Sequence, residues 1–183
     1  MINEFITNFN ICADMNAAIE YMVSLKKQYP ALKYKDRNGA YIYENYYILP
    51  SCTNKNSNFL KNLKENLNIV QPICKISAPE LIDIVSTKDE KFSAIIYKIN
   101  DTKNADLIPY LESNGANQEK IDLFISEQIE LLNNTGLYNP EIFNSTEHFY
   151  LTSDTGNIVF EEWGNLCQTD NPKEILHKLN CLL

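Results

Sequence analysis

The side chains best placed to do chemistry in this 183-residue chain are carboxylates gathered late in the sequence. From Tyr138 to Gly164 the stretch YNPEIFNSTEHFYLTSDTGNIVFEEWG carries Glu141, Glu147, Asp154, Glu161 and Glu162, together with Tyr150 and the single tryptophan, Trp163. Acids clustered beside an aromatic make it a candidate active-site segment, because positioned carboxylates can move protons. Nucleophilic catalysis has thinner support. A Cys–His pair needs Cys167 or Cys181 brought to His148 or His177, and nothing in their spacing does this. The five cysteines, Cys12, Cys52, Cys74, Cys167 and Cys181, never form a Cys-x-x-Cys pair, and with only two histidines they lack the spacing of a structural zinc site. No metal and no cofactor are expected, and the scattered thiols suit a reducing, cytoplasmic setting better than a disulfide framework.

Charge narrows the partners. The formal net charge is -8. Up to Lys120 acids and bases cancel; from Ile121 onward ten acids face only Lys173 and Lys178. Binding nucleic acid through phosphate neutralisation needs clustered Lys and Arg, so that class is excluded. The acidic last third reads either as a solvated face or as a docking surface for a protein with a basic surface, which would speed association at low salt. The N-terminus has no basic region followed by an apolar core, and no segment approaches the ~20 apolar residues of a membrane span, so a soluble chain is expected.

The elements that must position these residues follow from periodicity and turn chemistry. Helices are predicted from about Asn3 to Phe9 and from Asp14 to Gln28, the latter ended by Pro30. Asn38-Gly39 between Leu32–Lys35 and Ala40–Tyr43 signals a hairpin, with a further strand at Tyr46–Leu49. Tyr34, Tyr41, Tyr43, Tyr46 and Tyr47 then crowd one sheet, which fits cross-strand packing better than a recognition surface. A helix with Phe59, Leu60, Leu63 and Leu67 on one face follows, then a strand beginning within Val70–Ile76. Ser77-Ala78-Pro79-Glu80 has the form of a capping box and predicts a short helix through Val85, although the run Leu81–Val85 suits a strand equally well. Phe92–Ile99 is a buried strand, and Asn104–Ser113 a short helix. Asn117 caps a helix to about Asn134, with Gly136 beyond its end. His148–Thr152 and Asn157–Glu161 form a hairpin around Gly156, and Asn171-Pro172 opens a last helix. The expected fold is α+β, small antiparallel sheets with helices around them, in a single domain 1–183 that allows two lobes, 1–100 and 101–183.

The order of strand, helices, Gly136, a loop with Glu141, a hairpin with Gly156 and then Glu162-Trp163-Gly164 resembles the start of a protein-kinase C-lobe over residues 92 to 166. The resemblance implies Glu141 as catalytic base, Glu162 as the metal-binding acid of the Asp-Phe-Gly motif with Trp163-Gly164 completing it, and Asn144 as the nearest match to the metal-binding Asn. The chain departs from that family in having five isolated glycines and no Gly-rich loop, no Val-Ala-Ile-Lys strand, and Tyr138-Asn139-Pro140 where His-Arg precedes the base. A missing phosphate cradle removes the positioning on which phosphoryl transfer depends, so a kinase-like chain of this kind would be a pseudokinase.

Two functions are therefore weighed. The first is an acidic, non-catalytic protein-binding domain, similar in character to bacterial toxin-immunity proteins, that covers a basic toxin domain. Its contact residues would be Glu141, Glu147, Tyr150, Asp154, Glu161, Glu162 and Trp163. The second is a reduced kinase-like effector or pseudokinase using Glu141 and Glu162. Beside both stands a purely architectural role, with Glu141 and Glu162 as surface carboxylates and Trp163 as a core anchor.

Overall fold

Five antiparallel strands and two helices account for the first part of the chain. The computed structural model describes residues 1–35, 40–52, 57–98, 106–108, 117–144, 149–151 and 155–181. The chain divides into two units, Met1–Asn58 with Glu80–Asn100, and Phe59–Pro79 with Asp101–Leu183. The architecture is α+β, as the sequence predicts.

In the first unit α1 (Ile2–Ile11) and α2 (Met15–Gln28) precede β1 (Lys33–Lys35), β2 (Ala40–Tyr43), β3 (Tyr46–Cys52), β4 (Glu80–Ser86) and β5 (Phe92–Lys98). The strands lie in the order β1-β2-β3-β5-β4, every pair antiparallel. The Asp14 carboxylate starts α2 by accepting the Ala17 N–H at 3.0 Å, one of the donors a helix start leaves without an intrahelical partner. The helices bury Phe5, Phe9, Ala18, Met22 and Leu25 in one cluster with Ile48, Val85, Phe92, Ala94 and Ile96. Because β5 has a strand on each side and alternates Phe92, Ala94 and Ile96 into that cluster, it forms the spine of the sheet. The tyrosines are split as packing would split them: Tyr47 is buried, whereas Tyr34 is exposed and pairs with Tyr41 across β1 and β2 at 5.1 Å.

In the second unit the body of α3 (Ser57–Val70) is followed by β6 (Asp106–Ile108), α4 (Gln118–Thr135), β7 (Leu137–Tyr138), α5 (Glu141–Asn144), β8 (Phe149–Leu151), β9 (Ile158–Phe160), a 3-10 turn (Trp163–Asn165), β10 (Cys167–Gln168) and α6 (Pro172–Asn180). Strands β6, β8 and β9 form one small sheet, and β7 pairs with β10. Among the described residues, no helix is long and apolar enough to cross a membrane.

The structure decides one ambiguous segment and corrects two others. Of the two readings of the segment from Ser77 to Val85, helix or strand, the strand holds: β4 from Glu80 is paired along β5 and tied by a Glu80–Lys98 ion pair at 3.5 Å. The capping box fails because the Ser77 N–H is already bonded to the Glu127 carboxylate, which leaves the β-branched Ile82, Ile84 and Val85 to their strand preference. Val70–Ile76 holds the end of α3 and a turn, in which the Ile73 and Cys74 N–H groups both bond the Val70 carbonyl, and not a strand. Within the predicted helix Asn104–Ser113, residues 106–108 are strand β6, held by antiparallel pairing with β8; the remaining residues of that segment lie outside the described ones.

Candidate functional site

Helix α4 delivers the chain to the candidate segment. The Asn117 side chain accepts the Glu119 N–H at 2.9 Å to open the helix, and its buried stripe of Ile121, Phe124, Ile125, Leu131 and Leu132 fixes it on the core. Gly136 closes it with φ +70, the left-handed conformation that costs glycine least, and its N–H bonds the Leu132 carbonyl at 2.8 Å. The next two residues pair with Cys167 and Gln168, which fixes where Asn139 begins.

Asn139 is the pivot of the segment. It is 1% exposed. Its carboxamide oxygen accepts the Glu141 N–H at 3.0 Å, while its amide nitrogen donates to the Glu162 carbonyl. One buried side chain thus joins the backbones of the two residues that sequence reasoning singled out. The pairing of Glu141 and Glu162 is therefore one of position in the fold, made through their main chains. Both side chains are half-buried.

The approach to Glu162 is equally fixed. Gly156, at φ +65, precedes β9, as the hairpin signal predicts. The Phe160 N–H bonds the Ser77 carbonyl at 2.9 Å, and the Phe160 carbonyl accepts the Trp163 indole N–H at 2.6 Å. The Trp163 ring meets Phe160 edge-on, centroids 5.5 Å apart, and its carbonyl accepts from Asn66 on α3 at 2.8 Å. Gly164 lies so close to Phe59 that a Cβ there would stand 2.2 Å from the ring. Trp163 is wholly buried and Glu161 nearly so. That enclosure corrects the place of both in a partner-contact set, since neither presents surface; for Trp163 it matches the core-anchor role. Glu147, Asp154 and the side chain of Tyr150 lie outside the described residues.

Behind this segment sits a buried polar cluster that sequence reasoning missed. The Glu127 carboxylate on α4 accepts the Ile76 and Ser77 N–H groups, each at 2.9 Å. Gln128 donates to the Ser77 hydroxyl at 3.2 Å, and the Cys74 thiol faces the Glu127 carbonyl at 3.5 Å. Burial, reinforced by the Glu127 charge, pushes the Cys74 thiol up to about 12. Since the thiolate is the nucleophile, Cys74 is expected to resist iodoacetamide at pH 8 in the folded chain, while exposed Cys181 is alkylated first. Peptide mapping of a time course checks this; equal labelling of the two would contradict the cluster.

The remaining sequence candidates do not converge. Cys181 does approach His177, at 3.8 Å, but the two sit one turn apart on the exposed end of α6, and nearby Glu174 is held at 2.8 Å by Lys178. His148 lies outside the described residues. Among the described residues, no three His, Cys, Asp or Glu gather as a metal site. The residue overlooked at the loop itself is Asn139, which no local pattern in the sequence marks and whose importance lies in its burial and its two bonds.

No family model matches the chain, and no curated protein matches it in sequence. Among solved structures, the chain is similar to the GDP complex of wild-type aminoglycoside 2'-phosphotransferase-IIIa, with 13% identity and a TM-score of 0.47, over 84% of this chain and 74% of that one. At that identity and score, the roles of individual residues have to be read from this chain itself.

Proposed function

We propose that the chain is a kinase-like protein without phosphoryl-transfer activity, which acts by holding a protein partner. The observation that carries the reading is Asn139. It occupies the position that the catalytic-loop spacing gives to the Asp base, and a carboxamide cannot accept the proton of a substrate hydroxyl. Its two polar atoms are also occupied, by the Glu141 N–H and the Glu162 carbonyl. The third strand, Tyr46–Cys52, carries no lysine where kinases place the one that pairs the phosphates, and the connection between β1 and β2 offers a single glycine, Gly39. Element order supports the same reading: a meander of three strands, a helix, three more strands, a long helix, a loop with a short helix, a hairpin and then acid-Trp-Gly. The acidic excess after Ile121 suits a partner with a basic surface.

The experiment is incubation with γ-labelled ATP or GTP and magnesium, with and without protein acceptors. No transfer or hydrolysis above buffer is expected. Turnover near the 1–100 s⁻¹ of ordinary kinases (about that range), abolished by Glu162→Gln, would overturn the reading. Asn139→Asp, which restores a carboxylate, is expected to remain inactive and to lose stability. The new oxygen would face the Glu162 carbonyl where an N–H donated, at a cost of about 1–3 kcal/mol in urea unfolding.

A further inference from the structure

The last turn of α6 holds two metal-binding side chains that the candidate segment does not use. Cys181, the C-cap, keeps helical backbone angles at φ -79 and ψ -6, and its N–H bonds the His177 carbonyl at 3.0 Å and the Lys178 carbonyl at 3.2 Å. The thiol therefore stands one turn beyond the imidazole, on the same strip of helix surface. Its Sγ lies 3.8 Å from His177 Nε2, and both residues are exposed.

That separation selects the ligand. Zinc binds Cys sulfur at ~2.3 Å and His nitrogen at ~2.0–2.1 Å, so two such donors meeting at a tetrahedral angle stand about 3.6 Å apart, whereas the same bonds set end to end would need about 4.4 Å. Thiolate and imidazole together suit zinc, while magnesium and calcium take oxygen donors. The surroundings do not oppose a cation. The Lys178 ammonium is held by the Glu174 carboxylate at 2.8 Å, which offsets its charge, and the carbonyls that end a helix turn partial negative charge toward this position. We propose that His177 and Cys181 form a two-donor zinc site: the thiol releases its proton to solvent, the thiolate Sγ and the imidazole Nε2 coordinate the ion, and water fills the remaining positions. Four protein donors would make a closed structural centre; two leave an open one, which staples the last turn of α6. The site uses none of the residues on which the partner-holding reading rests.

Protection of the thiol by zinc chloride, measured on the whole chain kept reduced by a phosphine, tests the proposal. Zinc is expected to slow iodoacetamide alkylation of Cys181 by about 10-fold or more and to leave Cys167 at its metal-free rate, as read by peptide mapping, with a chelator restoring the original rate. His177→Gln keeps the thiol and removes the second donor, so the protection should vanish while far-UV circular dichroism stays unchanged, the side chain being exposed. Cobalt(II) in place of zinc should give a thiolate charge-transfer absorption that Cys181→Ser abolishes. Alkylation of Cys181 indifferent to zinc, or slowed equally at Cys167, overturns the proposal. Protection that survives His177→Gln overturns it too, because a thiol alone then binds the ion adventitiously. A cobalt absorption that persists in Cys181→Ser places the metal elsewhere and has the same effect.

Discussion

Trp163→Ala is expected to cost about 3–5 kcal/mol, the range for truncating a large aromatic in a core, and to lower the midpoint of thermal unfolding by about 10 °C. The side chain is 0% exposed, its ring packs edge-on against Phe160, and its indole N–H is bonded to the Phe160 carbonyl at 2.6 Å. Removing it empties that volume and leaves a carbonyl without its donor, two penalties that add. Trp163→Phe separates them, since it keeps a ring and loses the hydrogen bond, and should cost less than half as much. Circular dichroism is the suitable readout, because Trp163 is the only tryptophan and its loss removes the fluorescence signal. The wild-type emission itself should be blue-shifted, as befits an indole out of water. If Trp163→Ala unfolds at the wild-type midpoint but fails to hold a protein partner, the tryptophan is a contact residue and the burial described above is wrong.

The parts of the second unit that the sequence makes legible are those whose signals are local. Asn117 opens α4 and Gly136 closes it because cap and left-handed glycine act within a turn of their own position. The hairpin before Glu162 is legible for the same reason, through Gly156. Strand β4 is ambiguous in the sequence because Ser77 and Glu80 have the spacing of a capping box while Leu81–Val85 suits a strand, and only the fold reveals that the Ser77 N–H belongs to Glu127, fifty positions away in sequence. Strand β6 is three residues long and exists by pairing with β8, so no local pattern could announce it. At the candidate site, counting from Gly136 points to Glu141, whereas the side chain that joins the two flanking segments is the buried carboxamide of Asn139, two positions earlier, which only its contacts reveal.

Glu127→Ala should be the next most damaging change, and its effect should travel. The carboxylate is almost buried and accepts two N–H groups at 2.9 Å. Ile76 is 37% exposed, so its N–H can regain water when the acceptor goes; Ser77 is 0% exposed and cannot. The expected loss is about 2–4 kcal/mol, dominated by the stranded Ser77 N–H together with the space left by the side chain. Glu127→Gln keeps one oxygen and turns an amide donor toward the other N–H, so it should fall between Glu127→Ala and the wild type. The route of propagation is specific. The Ser77 carbonyl holds the Phe160 N–H at 2.9 Å, the Phe160 carbonyl holds the Trp163 indole, and the Glu162 carbonyl holds Asn139. Loosening residues 76 and 77 should therefore release protection at the Phe160 amide and, beyond it, at the Glu141 amide bonded to Asn139. Hydrogen exchange on Glu127→Ala under conditions where it remains folded reads this directly. Exchange that accelerates at Ser77 alone, with Phe160 and Glu141 as slow as in the wild type, would mean that the buried carboxylate supports only its own turn and that the candidate segment is positioned without it.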